Sequence, residues 1–127
     1  MSERVTGLIV GALIALGFAV VISLLPAALF LDTPKRIAVY VVCALAAPPT
    51  VWLVQWIAKL RHLDQRATFF WAVGGAMLFD SLAIGFVPRL YGQTGQALAW
   101  TASALIFAFA AVVIAGQVMF SPTSERV

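Results

Sequence analysis

Four long apolar runs separated by short polar links are the dominant pattern of this chain. They cover approximately residues 7–30, 37–57, 67–87 and 97–120. A helix of about 20 residues crosses a bilayer core of ~30 Å, and each run reaches that length. The runs are uniformly apolar and longer than barrel strands, in which apolar and polar residues alternate. The pattern therefore predicts an all-α integral membrane protein with four transmembrane helices.

The links between the runs are short, which constrains the arrangement of the helices. They comprise residues 31–36, 59–66 and 88–96, with Pro34 and Pro88 at predicted helix boundaries. Short links make consecutive helices antiparallel neighbours. We expect an antiparallel four-transmembrane-helix bundle that forms a single membrane domain over residues 1–127.

The composition supports this class of protein and argues against two others. The 127 residues are 63% hydrophobic and only 10% charged, with a mean hydropathy of +1.03. Soluble domains carry about 25% charged residues, so this chain cannot cover its surface with polar groups. The net charge of +3 comes from residues at predicted helix ends, without the basic stripe typical of nucleic-acid-binding proteins. We expect the lipid bilayer as a partner and no nucleic acid.

The distribution of lysine and arginine predicts the orientation of the helices. Five of them lie on the side that holds both termini, and three lie on the other side. The larger group comprises Arg4, Lys59, Arg61, Arg66 and Arg126, and the smaller one Lys35, Arg36 and Arg89. Because cytoplasmic segments carry the excess of positive residues, we expect both termini in the cytoplasm.

Aromatic residues near the ends of the runs are typical of the belts at membrane–water interfaces. Trp52, Trp56 and Trp71 lie near the predicted cytoplasmic side, and Tyr91 and Trp100 lie near the opposite one. We expect these residues to be interfacial anchors and not a ligand cage.

Small residues recur at four-residue spacing on the first and third runs. Gly7, Gly11 and Ala15 form one such row, and Ala72 and Ala76 belong to the other. Helices in lipid associate where small residues allow close approach, because lipid does not drive apolar surfaces together. The rows predict helix-packing faces, either within one chain or between the two copies of a homodimer.

Pro48 and Pro49 interrupt the second run and predict a helix kink. A proline has no N–H, so the carbonyls of Ala44 and Leu45 lose their helical partners. Thr50 is a candidate for local compensation. The kink is either static and shapes the bundle, or it provides a hinge or a pair of carbonyls that faces an ion.

Asp80 lies within the third run and is the most informative residue for function. A carboxylate in hydrocarbon costs roughly 3 kcal/mol on insertion scales, and such residues face a bundle interior, a partner or a wet cavity. At ~1.5 Å per residue, several polar residues of the other runs fall in the same outer half of the membrane. The candidate site comprises Asp80, Ser81, Tyr40, Ser23, Thr101 and Ser103.

Two roles for Asp80 remain open. In the structural role it is protonated, or hydrogen-bonded to Tyr40 and the hydroxyl groups, and it fixes the register of its helix. In the functional role it binds a proton or a cation, since no basic residue lies at the same depth to pair with it.

The sequence does not indicate an enzyme, a metal site or a cofactor. Asp80 is the only acid within the four runs, and the chain has one histidine, His62, and one cysteine, Cys43. The runs therefore hold no second acid for a carboxylate pair and no histidine for a Ser–His pair, and one Cys with one His is too few for a zinc-binding cluster.

Residues 75–82, which read Gly-Ala-Met-Leu-Phe-Asp-Ser-Leu, precede Phe-Val-Pro at 86–88 and a last run that contains Trp100. This part of the chain resembles a family of small four-helix bacterial inner-membrane proteins, a domain of unknown function. The third span of that family typically carries Gly-Met-Leu-x-Asp, and Ala76 departs from that spacing. The resemblance, over roughly the third and fourth runs, implies a bacterial inner membrane and no assigned activity.

Two functions follow from these observations as expectations. The first is a small polytopic membrane protein that serves as an accessory or interaction subunit, with Asp80 as its central buried acid. The alternative is a small proton- or cation-coupled transporter or channel that acts as a homodimer through Asp80.

Overall fold

A computed structural model describes residues 2–120, and this part of the chain is helical throughout apart from its connections. The elements are α1 (Glu3–Ser23), α2 (Ala28–Leu31), α3 (Thr33–Leu60), α4 (Gln65–Phe86), a 3₁₀ turn (Pro88–Tyr91) and α5 (Gly95–Phe120). The helices α1, α3, α4 and α5 are each long and apolar enough to cross a membrane. The four predicted runs thus correspond to four long helices. Arg126, which contributes to the predicted charge bias, lies outside the described residues.

The first long helix is shorter than its apolar run. The predicted span 7–30 is wrong at its end, because α1 stops at Ser23 and α2 forms a separate short helix. Pro26 gives the physical reason, since it lacks an N–H and its ring clashes with the carbonyl four residues earlier. It also disfavours the helical conformation at Leu25. The other three runs match α3, α4 and α5 to within four residues at each end.

The closest helix contact is between α1 and α4. Gly7 lies against Trp71 and the backbone of Thr68, and Gly11 lies against the backbone of Ala72. A Cβ at Gly11 would overlap the Ala72 carbonyl group, so only glycine fits this contact. Because the contacts advance in the same direction along both helices, α1 and α4 run parallel.

The predicted helix-packing residues are all buried between the helices of the folded chain. Gly7, Gly11, Ala15, Ala72 and Ala76 are buried. Packing within one chain therefore accounts for both rows of small residues.

The second close pair is formed by α3 and α5. Tyr40 of α3 is hydrogen-bonded to Ser103 of α5 and packs on Phe107, with ring centroids 5.0 Å apart. The Arg36 guanidinium lies 3.5 Å from the centroid of the Trp100 ring, which is a cation–π contact. These contacts also advance in the same direction, so α3 and α5 run parallel.

Consecutive helices are not all nearest neighbours, in contrast to the expectation from the short links. α1 makes little contact with α3, whereas α4 contacts both α1 and α3. The connection after α1 explains this separation, because α2 packs against α3 and α5 and buries Phe30. Arg36 donates a hydrogen bond to the Phe30 carbonyl at 3.0 Å and so ties α2 to α3. The result is two parallel helix pairs that face each other.

Pro48 and Pro49 lie inside α3, which stays helical from Thr33 to Leu60. The Thr50 hydroxyl donates to the Ala46 carbonyl at 2.8 Å, and not to the carbonyls that the prolines leave without helical partners. A threonine in a helix reaches the carbonyl four residues earlier, which is Ala46. The kink at these prolines stays a prediction.

The outer surface of the helices is apolar. Leu45, Ile106 and Val118 are each at least 70% exposed. Trp52 and Trp56 are also exposed and stack with ring centroids 6.1 Å apart. Continuous apolar surface of this kind is typical of membrane contact or protein interfaces.

Candidate functional site at Asp80

Asp80 lies on the face of α4 that also carries Ala72, Ala76 and Ala83. All four residues are buried, and Asp80 is only 5% exposed. Spacings of three and four residues place them in one row along the helix. The small neighbours leave room beside the carboxylate for groups from other elements.

Tyr91 is the hydrogen-bond partner of Asp80. Its hydroxyl donates to Oδ1 of Asp80, and its side chain is fully buried beside Ala19 of α1 and Leu105 of α5. Burial raises the pKa of the Tyr91 hydroxyl above its usual range, and the hydrogen bond to Asp80 raises it further. Tyr91 is therefore a neutral hydrogen-bond donor at physiological pH.

Gln93 holds the segment that carries Tyr91 against the end of α1. Its side chain is 2% exposed, and Nε2 donates to the carbonyls of Ile22 at 3.2 Å and Leu25 at 2.9 Å. The two carbonyls lie at and just after the last turn of α1, so the amide ties the segment to the end of this helix.

Gly92 allows the same segment to approach α1 closely. Its φ is +68°, a conformation that glycine adopts without steric cost. A Cβ at this position would lie 2.8 Å from the Cα of Ser23. Glycine is therefore required here for two independent reasons.

A cavity of about 470 Å³ lies between the two helix pairs and is partly open to the outside. Residues from all five α-helices line it, and nearly all of them are apolar. The charged residues in its lining are Asp80 and Lys35, and Cys43 and Thr50 add weakly polar groups. Its volume falls within the ~300–1,000 Å³ typical of small-molecule sites.

Within the described residues, one carboxylate oxygen of Asp80 has no hydrogen-bond partner. Oδ1 accepts from Tyr91, whereas Oδ2 has no hydrogen bond to any residue among 2–120. Oδ2 is not fully enclosed by protein atoms, and the cavity is the space that Asp80 lines. In the described part of the chain no basic side chain is paired with Asp80. The arrangement offers an acceptor to a proton or a cation in the cavity.

The polar residues expected around Asp80 are not assembled there. Tyr40 is bonded to Ser103 instead of Asp80, because α3 pairs with α5 in this region. Ser23, Ser81 and Thr101 each donate to a backbone carbonyl three or four residues earlier. Hydroxyl groups in helices commonly satisfy themselves in this way. The hydrogen bonds from Tyr40 and these hydroxyl groups to Asp80, expected for the structural role, are therefore not formed.

Tyr91 and Gln93 are the site residues that the sequence pattern did not reveal. The belt pattern predicts Tyr91 at the membrane interface, whereas it is fully buried. Pro88 and Gly92 flank it and mark a tight turn, and that is the one local signal that the tyrosine folds back on α4. The buried environment itself depends on where α1 ends.

The residues that the structure describes include no group of three or more His, Cys, Asp or Glu side chains able to hold a metal ion. Asp80 and Tyr91 provide far fewer oxygen ligands than the roughly six that Mg²⁺ takes. Comparison with known proteins finds no family model, curated protein or solved structure that matches this chain.

Proposed function

We propose that this chain is a multi-pass protein of the bacterial inner membrane, with both termini in the cytoplasm and long helices that alternate in direction across the bilayer. The length and hydropathy of the four helices support membrane insertion. The excess of lysine and arginine at one set of helix ends supports the orientation.

Within the membrane the chain acts as a small carrier, in which Asp80 takes up a proton or a cation from the cavity. One observation carries this proposal: among the described residues Asp80 Oδ2 has no hydrogen-bond partner, and Asp80 lines an apolar cavity. An unsatisfied buried acceptor destabilises a protein by about 1–3 kcal/mol. A ligand that donates a hydrogen bond to Oδ2 would satisfy this oxygen, which supports a binding site at Asp80.

Exchange between a proton and a cation follows from the charges around Asp80. Proton uptake neutralises the carboxylate and removes its attraction for a cation. Proton uptake and cation binding at Asp80 are therefore coupled. The other titratable groups at the cavity and its acid are Lys35 and Cys43 of α3 and the neutral Tyr91. Within the described residues, α1 and α5 line the cavity with apolar side chains and one glycine. Asp80 is therefore the acid that responds to the ligand.

Proton movement in proteoliposomes tests the carrier function. Liposomes with an entrapped pH-sensitive dye receive a gradient of Na⁺, K⁺ or ethylammonium, and the internal pH is followed. We expect the wild-type chain to move protons in response to at least one gradient and Asp80→Asn to abolish the response. Asp32→Asn is the matched control, because Asp32 is an exposed acid in the α2–α3 link. Wild-type flux in a correctly folded Asp80→Asn variant would contradict the proposal.

A second candidate function is that of an accessory or interaction subunit in which Asp80 is structural. The bond from Tyr91 to Asp80 favours it, since this bond ties the 3₁₀ turn to α4. This function predicts co-purification with a larger membrane complex in mild detergent. Purification as an isolated monomer or homodimer would count against it.

A further inference from the structure

We infer that the ligand of the Asp80 site is an amphipathic organic cation, with a protonated amine at Asp80 and an apolar body in the cavity. This inference rests on the carrier function proposed above and names its substrate class. The cavity combines one acid with walls that are otherwise almost entirely apolar.

The cavity has a charged end and a long apolar body. Along α4 its lining runs from Phe69 to Asp80, and Asp80 is the last of these residues. At ~1.5 Å per residue, this stretch of helix is about 16 Å long. Between the two ends, α4 contributes Ala72, Val73 and Ala76. A hydrocarbon body can therefore lie along α4 with its charged group at Asp80.

The charge at that end selects a cation. The open oxygen of Asp80 lies in apolar surroundings, where a charge pair interacts more strongly than in water. Phe18 and Phe109 also line the cavity, and aromatic faces attract ammonium groups. Lys35 lines the cavity from the start of α3 but is an exposed residue, so its ammonium can remain hydrated. An anionic ligand would meet repulsion from Asp80.

An inorganic cation fits this cavity poorly. Ca²⁺ takes about six to eight oxygen ligands, whereas the lining supplies the carboxylate of Asp80 and the hydroxyl of Thr50. That hydroxyl already donates to the Ala46 carbonyl. An ammonium group needs only the one acceptor, because contact with the apolar walls accommodates the rest of the molecule.

The gap between α1 and α3 provides a route from the bilayer. Both helices line the cavity, yet they make little contact with each other. Amphipathic cations collect at the membrane interface, with their apolar part among the lipid chains. Such a molecule can therefore reach Asp80 sideways without crossing bulk water.

Equilibrium dialysis of radiolabelled n-octylamine tests this ligand class. The full chain is placed in lipid nanodiscs, and empty nanodiscs are used to subtract partition into lipid. We expect saturable binding of one octylamine per chain. Because a hydrogen bond to a charged group is stronger than one between neutral groups, n-octanol should bind about tenfold more weakly, and octanoate more weakly still. Equal binding of octanol and octylamine would overturn the inference, as would displacement of octylamine by millimolar Na⁺ or Mg²⁺.

Three variants locate the binding. Asp80→Asn should weaken octylamine binding about tenfold or more, because it removes the charge and keeps the shape. Ala108→Phe fills the cavity and leaves Asp80 in place, so it should weaken the binding of octylamine, octanol and octanoate alike. Ala110→Phe is the matched control, since Ala110 is exposed on the same helix and does not line the cavity. If Asp80→Asn does not fold, the relative binding of the three probes to wild-type protein still tests whether the ligand is a cation.

Dialysis measures binding without a gradient, which separates this inference from the carrier function. Octylamine binding without any proton movement would contradict the carrier and retain the ligand class. Proton movement driven by Na⁺ or K⁺ without octylamine binding would contradict the ligand class alone.

Discussion

Asp80 and Tyr91 are eleven residues apart in the chain, and the 3₁₀ turn that ends at Tyr91 brings them together. The partner of the buried acid thus comes from the connection after its own helix and not from a neighbouring helix. Tyr91 is fully buried, whereas Tyr40 is only partly buried and is bonded to Ser103. Removal of the hydroxyl group should therefore change the free energy of unfolding differently at the two tyrosines.

We expect Tyr91→Phe to lower the free energy of unfolding by about 1–3 kcal/mol, because a buried acid loses its hydrogen-bond donor. Tyr40→Phe is the matched control and should lose about 0.6 kcal/mol, the average for hydrogen bonds between membrane helices. Unfolding by SDS in mixed micelles, followed by circular dichroism, measures both. Equal losses in the two variants would show that the hydroxyl of Tyr91 has no special role at Asp80.

Among the helices, the size of one side chain decides which pairs approach closely. Gly11 lies against the backbone of Ala72 and has no room for a methyl group. Gly17 lies on the same helix, with nothing within 4 Å of the position where its Cβ would be. α1 therefore has one face that requires glycine and one face that tolerates larger residues.

The Gly11→Ala and Gly17→Ala variants should change stability in opposite directions. Gly11→Ala forces α1 and α4 apart and should cost about 1–3 kcal/mol, as overpacking does. Gly17→Ala should be neutral or stabilising by up to about 1 kcal/mol, because alanine favours helix. The SDS unfolding assay measures both. A Gly11→Ala variant as stable as wild type would mean that the α1–α4 contact is looser than described.

On the scale of the whole molecule, the two parallel pairs enclose a cavity because α1 and α3 are held apart. Pro26 ends the apolar run early, and Phe30 of α2 is buried beside α3 and α5. In a bundle of four mutually packed helices, a cavity of this size would be filled by side chains. The cavity is thus a consequence of the α1–α3 connection.

Cysteine labelling in a bacterial host tests the orientation of the molecule. In a Cys43→Ala background, a membrane-impermeant maleimide should label Thr94→Cys in intact spheroplasts. It should label Ser2→Cys only after the membrane is permeabilised. Both positions are exposed at opposite ends of the long helices. The reverse labelling pattern would contradict cytoplasmic termini.

The sequence by itself determined the four long apolar helices and the position of one acid inside them. Hydropathy and run length are local properties, so they can be read without knowledge of the neighbours. The rows of small residues likewise predicted which faces pack, and Gly7, Gly11 and Ala72 lie at a helix contact. Among the helix boundaries, local signals failed at Pro26, where an apolar run continues beyond the end of its helix.

Only the tertiary structure decided the pairing of α1 with α4, the burial of Tyr91 and the presence of the cavity. Each depends on which residues distant in the chain come into contact, and no local pattern specifies that. Tyr40 and Tyr91 both lie near helix ends on the same predicted side, and hydropathy does not distinguish them as partners of Asp80. Gln93 ties the turn at Gly92 to the end of α1, and Gly92 allows the close approach to Ser23. Together these contacts place Tyr91 beside Asp80.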